Sequence, residues 1–375
     1  MGFGAAATTL EFIQRVDDLA KIFEAEIIVD DISFFNEPYF EDGPVAQAVA
    51  EAVANGVVYV SSAGNTAERH YQARYVDSGD PFNSHDFGGG DTTLPIAVPS
   101  GEARIFLQWS NAFGTAGDDR DDYTLCHTDD TGTTTFSCSV DRDELIKILV
   151  LNCSNPDGCT ENIQIRRISG NPQELEMFFS SRTRPIQFNV SADSVFGHKA
   201  VSGVLATAAI NASDPGHDDI EPFSSRGPST IFFPAPEARQ KPDVAAIDGV
   251  VVTGVGGFRS PFFGTSAAAP HAAGVAALLK SLSPTATAAE IVAALTNSAV
   301  DLGVPGSDNT FGAGRIDALA AAQQFDQPAV RGGGGGGGGG CTLTPGASFD
   351  PTLVGILALM LAYLGWKRAR RRPLG

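Results

Sequence analysis

Apolar residues along the first third of the chain alternate between two periods. From Leu10 to Ala25, Phe12, Ile13, Val16, Leu19, Ala20 and Phe23 fall on one helical face. Glu26 to Ile32 then reads as a buried strand, Pro44 to Ala54 as a second helix stopped by Asn55-Gly56, and Val57 to Val60 as another apolar strand. Strand, helix and strand in that order, with the strands apolar on both faces, predict a parallel sheet covered on both sides. Beyond Asn65 the texture changes. From His70 to about Asn189 turn clusters separate short alternating runs, and strands are predicted over Ala103–Trp109, Glu144–Leu151, Leu175–Phe179 and Pro185–Val190. The α/β texture returns near Ala200, with strand-like runs at Ala200–Ala209 and Val250–Thr253. A long apolar helix follows over Ser266–Leu282, which its composition places at the centre of a domain, then a helix over Ala288–Asn297 and a last one ending near Gln323.

The expected fold class is therefore α/β, a doubly wound parallel sheet interrupted by an inserted β-sandwich. The expected divisions are residues 1–69 and 193–325 for the α/β domain, 70–192 for the sandwich, 326–340 for a linker and 341–375 for a terminal anchor. The linker carries nine consecutive glycines, Gly332 to Gly340, and can form no core. The anchor rests on the unbroken apolar run Leu353–Trp366, extended back to Ala347 to reach the length of a bilayer span, followed by Lys367, Arg368, Arg370, Arg371 and Arg372. Basic residues stay on the cytoplasmic side, so a transmembrane segment here would leave the large domain outside.

Charge narrows the partners. With 44 acidic and 25 basic residues the net charge is −19, a surface that repels nucleic acid and anionic membranes. Four of the five cysteines lie close together, which suggests an oxidising compartment and the pairs Cys126–Cys138 and Cys153–Cys159, each clipping a short loop. Asp118, Asp119, Asp121, Asp122, Asp129 and Asp130 form an acidic cluster. Calcium is the cation such oxygens would take, but the spacing fits no EF-hand loop and solvated turns are the preferred reading.

The chemistry concentrates in Gly264-Thr-Ser-Ala-Ala-Ala-Pro-His271. It puts a serine in the first turn of a buried helix, where backbone N–H groups and the dipole favour a developing oxyanion. Small neighbours let a substrate come close, and a proline so near the helix start costs little. This block resembles the nucleophile motif of the subtilases, and the match runs on through Gly274-Val-Ala-Ala-Leu-Leu279. Val57 to Asn65 resembles the strand and loop that end in that family's oxyanion asparagine. Phe223-Ser-Ser-Arg-Gly-Pro228, Lys241-Pro-Asp-Val-Ala245 and Phe311 to Asp317 resemble further blocks in the family's order.

The resemblance implies a subtilisin-like fold and serine endopeptidase chemistry on protein or peptide substrates, with Ser266 as nucleophile, Asn65 as oxyanion donor and no organic cofactor. It also implies an aspartate and a histidine ahead of Asn65. The 64 residues before Asn65 contain no histidine, and neither motif is found. Of His70, His85, His127, His198, His217 and His271, none matches the family's base, and His271 corresponds to a structural position. Asp30 and Asp31, at the end of the first strand, fall at the family's substrate-binding strand and are read as capping or substrate-contacting residues. The expectation is an N-terminally incomplete protease domain that hydrolyses peptides poorly as written; the alternative is a catalytically dead surface protein used for binding or adhesion. The tail, with its glycine run, Cys341 and Phe349-Asp-Pro-Thr352, resembles sorting signals of the JDVT-CTERM class, which implies export and processing near Cys341.

Overall fold

A reciprocal cap starts the first helix. Thr8 Oγ1 accepts from the Glu11 amide at 3.2 Å and Glu11 Oε2 accepts from the Thr8 amide at 3.3 Å, an arrangement that fixes where a helix begins. Helix α1 (Thr9–Asp17) buries Phe12 and Val16, passes into a π-helical turn over Asp18–Ile22, and leaves through Glu24 at φ 48°. Strand β1 (Ile27–Asp30), helix α2 (Pro44–Ala54) with proline at its start, and strand β2 (Val58–Ser62) follow. The computed structural model describes residues 4–114, 120–139, 145–180, 182–254 and 257–325. The linker, Cys341, the apolar tail segment, Asp118 and Asp119 lie outside them. Among the described residues no helix is long and apolar enough to cross a membrane.

Nine strands come next: β3 (His70–Arg74), β4 (Leu94–Val98), β5 (Gly101–Trp109), β6 (Asp122–Thr128), β7 (Thr135–Cys138), β8 (Ile146–Cys153), β9 (Cys159–Ser169), β10 (Glu174–Phe179) and β11 (Arg184–Pro185). They form two antiparallel sheets, β3-β10-β5-β8 and β11-β4-β9-β6-β7, which enclose a core containing Trp109, Tyr123, Leu125, Ile165 and Leu175. Both expected disulfides are present. Cys126–Cys138 joins directly opposed residues of β6 and β7, and Cys153–Cys159 closes the β8–β9 turn. The strand expected over Pro185–Val190 shrinks to two residues. Pro185 has no N–H for a ladder, and Phe188 sits at φ 60°, which extended chain does not tolerate.

The chain then returns through β12 (Leu205–Asn211), the hairpin β13 (Ser229–Ile231) and β14 (Glu237–Arg239), and β15 (Val244–Asp248), followed by helices α3 (Thr265–Leu282), α4 (Ala288–Asn297) and α5 (Ala318–Gln323). The parallel sheet has the order β1-β2-β12-β15. Its last strand is not the expected Val250–Thr253. That run carries Val251, 87% exposed, whereas Val244 and Ala246 are buried beneath α3 and Ala245 is buried on the opposite face with Ile210 and Phe311. α3 packs its Ala269, Ala272, Ala276 and Leu279 against Val58, Val60, Leu205 and Val244. It is not enclosed on all sides as its composition suggested: Leu278 is 68% exposed, and His271, Gly274 and Ala277 share the open face.

The sandwich is fixed to the α/β layer by polar and aromatic contacts. Buried Gln108 of β5 accepts from the Tyr39 amide at 3.1 Å and donates to the Glu37 carbonyl at 2.7 Å. Around it Phe35, Tyr39, Phe178 and Phe196 pack ring against ring at 4.3–5.9 Å.

Candidate active site

In a parallel sheet the carboxyl ends of the strands share one edge, and side chains there face a common crevice. Here that edge carries Asp30 of β1 with Asp31 just beyond it, Ser61 and Ser62 of β2, Asn211 of β12 and Asp248 of β15. β1 and β2 end with Asp30 opposite Ser61, and β12 and β15 run on past the level where Ser62 meets Thr207 to end with Asn211 opposite Asp248. The start of α3 comes down onto the same edge.

Ser266 and Asn65 are brought together there. The Thr265 amide and the Thr265 hydroxyl both donate to Asn65 Oδ1 at 3.0 Å, and the Gly64 amide donates to Thr265 Oγ1 at 3.2 Å. An N–H donor on that atom identifies it as the oxygen, so the Asn65 amide nitrogen is the end left to donate. Gly264, at φ 116°, takes a backbone conformation that other residues rarely adopt, and a Cβ there would press on Asn65 Nδ2 at 3.3 Å. No side chain caps α3, and Ser266 is half-buried in the first turn, where amides have no intrahelical acceptor. Pro270 lies one turn further in than the sequence reading placed it. It therefore removes the intrahelical donor of the Ser266 carbonyl rather than an amide that was free anyway.

A buried carboxylate holds the turn from behind. Asp248, fully buried, accepts from the Gly264 amide at 2.7 Å. Its second oxygen and Glu221 Oε1 have no other donor, and the two carboxyls interact directly. Burial, then the neighbouring Asp248, raises the Glu221 pKa, and burial raises that of Asp248.

The other side of the crevice contains groups the sequence reading did not connect. Asp31 follows Asp30 at the end of β1, and Ser62 follows Ser61 on β2. Desolvation raises the Asp31 pKa, opposed by the Ser266 hydroxyl, the Lys199 charge and the Ser62 hydroxyl; the residue is exposed, so solvent screens the shift. Lys199, 2% exposed, donates to Ser33 Oγ at 2.6 Å and reaches Ser62 Oγ at 3.4 Å. Burial lowers its pKa against the pull of Asp30, Asp31 and Glu37. Asp30 is a separate matter. It accepts from Ser61 Oγ at 2.8 Å and faces His198 Nε2 at 3.4 Å, while His198 Nδ1 meets Glu37 at 2.8 Å. Burial pulls the His198 pKa down, but Glu37 and Asp30 outweigh it and raise it to about 9, so the buried imidazole is a cation between two carboxylates.

The remaining histidines serve elsewhere. His70 and His85 lie within the sandwich, where burial lowers both pKa values to about 4. His127 pairs with Glu161, His217 with the Ala212 carbonyl, and His271 with the Ala267 carbonyl on the open face of α3. Among the described residues no histidine is bonded to Ser266. Of the acidic cluster, Asp121 is consumed by Asn111, the Asn171 amide and Gln173, Asp122 pairs with Lys147, and Asp129 caps its own turn. No group of three or more metal-ligating side chains gathers among the described residues. Asp31 and Lys199 are 168 positions apart; the one signal in the sequence is an acid pair at the end of a buried parallel strand.

Comparison with known proteins gives a consistent picture. A profile described as the subtilase family matches residues 36–314. The chain is 25% identical to the subtilisin-like protease SBT4.4 of Arabidopsis thaliana over 85% of its own length and 46% of that protein. It is 33% identical to subtilisin of Bacillus pumilus over 42% of its own length and 58% of that protein. It thus spans about half the length of these curated relatives. The structure of the CspB protease of Clostridium perfringens superposes with a TM-score of 0.58 at 14% identity, covering 86% of this chain and 71% of that one, a likeness of fold.

Proposed function

The chain belongs to the subtilase family, and from that premise we infer that Ser266 is the nucleophile of a serine endopeptidase site acting on protein or peptide substrates. The observation that carries this reading is the pinned asparagine. With Oδ1 held by Thr265, Asn65 Nδ2 stands beside the Gly264–Ser266 turn. Together with the Ser266 amide it forms a pair of donors where the oxygen of a tetrahedral intermediate would sit, the preorganised arrangement that stabilises acyl transfer. Hydrolysis would run through an acyl-enzyme on Ser266 and its release by water.

Both disulfides accord with an oxidising compartment, and the reading places the protein outside the cell. A membrane-held form processed near Cys341 rests on the tail sequence alone. A second reading, a protease-like surface protein that binds without cleaving, is favoured by the absence of a histidine bonded to Ser266 among the described residues. An activated ester separates the two. A burst of p-nitrophenol equal to the protein present, lost in Ser266→Ala, is expected of the protease reading. A folded chain without any burst would turn the assignment to the binding protein.

A further inference from the structure

We propose that Lys199 sets the substrate preference of the Ser266 site, its ammonium receiving the carboxylate side chain of an acidic residue that bears the scissile carbonyl. The proposal rests on the endopeptidase reading and names the substrate class within it.

Lys199 is 2% exposed and stands on the short 3-10 turn Gly197–Ala200 that precedes β12. Its Nζ donates to Ser33 Oγ at 2.6 Å and reaches Ser62 Oγ at 3.4 Å. An ammonium carries three donors, so two hydroxyls, one of them distant, leave it short of acceptors. Among the described residues Lys199 alone of the lysines has no carboxylate within ion-pair distance. Lys21, Lys147, Lys241 and Lys280 each hold one at 2.7–3.1 Å.

The nearby carboxylates are committed elsewhere. Both oxygens of Glu37 accept from His198, one from its amide and one from Nδ1, each at 2.8 Å. Asp30 Oδ1 accepts from Ser61 at 2.8 Å and faces His198 Nε2. Asp31 is exposed, so water and salt screen its charge. A buried charge with no bonded counter-ion is costly. Where it borders a binding crevice, a ligand of opposite charge can complete it.

Lys199 borders the crevice from below. Ser33 lies three residues past the end of β1 and is exposed, so the ammonium sits directly beneath the surface there. Ser62 ends β2, three residues before Asn65. Three residues of extended chain reach about 10 Å, which keeps Ser62 and the ammonium beside it close to the oxyanion donor. The residue that owns the scissile carbonyl has its Cα one bond from the carbon under attack. Its side chain therefore begins closer to Asn65 than any other of the substrate. A glutamate or aspartate there would give Nζ the acceptor it lacks and offset the burial that lowers the Lys199 pKa. A glutamine would fill the same space without the charge, and a lysine would bring a second cation to a buried one.

The test is equilibrium binding of fluorescein-labelled hexapeptides, Ala-Ala-Ala-X-Ala-Ala with X as Glu, Gln or Lys, to the full chain carrying Ser266→Ala, read by fluorescence polarisation. The Glu peptide is expected to bind about 10–100-fold more tightly than the Gln peptide, with the Lys peptide weakest. Adding Lys199→Met to the same chain, folded by circular dichroism, should erase the difference between Glu and Gln. Equal binding of the three peptides, tightest binding of the Lys peptide, no binding of any, or a Glu preference that survives Lys199→Met each overturns the proposal. The first three need no variant of Lys199, so a misfolded Lys199→Met chain does not shelter it. None of these outcomes touches Ser266, whose role the ester burst decides. A wild-type chain without a burst whose Ser266→Ala form still prefers the Glu peptide would overturn the endopeptidase reading and keep Lys199 as a carboxylate-binding residue.

Discussion

Gly264 constrains the site more than its size suggests. Its φ of 116° suits glycine, its amide is spent on Asp248, and a Cβ would crowd Asn65. Gly264→Ala is expected to cost about 1–3 kcal/mol from backbone strain, read in a urea titration, and to slow acylation by displacing Asn65. Asn65→Ala removes an oxyanion donor and the acceptor of the buried Thr265 amide and hydroxyl, so acylation should drop by about 10²–10³ and stability by about 1–3 kcal/mol; a loss of stability with acylation unchanged would point to a structural role instead. Ser266 and Asn65 were legible because each sits in an unbroken run of sequence whose residue types have one shared physical use. Asp31 was seen at the crevice, and the reach of buried Lys199 to Ser62 was not. That reach joins residues 137 positions apart, which no local pattern encodes. His198 was passed over for the same reason. Its partners Glu37 and Asp30 come from 161 and 168 positions away.

Among the elements, the helices were the easiest to read, because punctuation marks their ends. Thr287 and Glu290 form the same reciprocal cap on α4 that Thr8 and Glu11 form on α1. Thr287→Ala is expected to lower stability by about 1 kcal/mol, measured by chemical denaturation, with the ester burst unaffected. β15 was misplaced by five residues or so. Val250–Thr253 has the stronger intrinsic β preference, but Val244 and Ala246 are the residues that fit beneath α3, Ala246 against Ala268. Packing outweighed propensity. The same small residues hid the exposure of α3. A face of glycine and alanine accepts either a tight neighbour or open solvent, so composition alone placed the helix at the centre of the domain.

At the scale of the whole molecule, the chain of blocks in sequence order fixed the family, whereas the electrostatic design became visible only in three dimensions. His198 has an ordinary pKa of 6.5, raised to about 9 in the fold. Its stabilising effect is complete below about 6.5 and is lost as pH rises through about 9. Glu176, buried and raised well above the usual carboxyl range by desolvation, acts in the same direction. Stability should therefore decline between about pH 6.5 and about pH 9.5, by about 3 kcal/mol for His198 alone, which urea midpoints at the two ends would show. A flat or rising profile would contradict the buried cation. The claim on which the functional reading depends is that Ser266 and Asn65 form an acyl-transfer site, and mapping a fluorophosphonate adduct by mass spectrometry tests it most directly. The adduct is expected on the peptide that begins the long helix, at Ser266, and is expected to be strongly diminished in Asn65→Ala. A folded chain that takes no adduct, or takes it on another serine while Ser266 stays unmodified, would contradict the assignment.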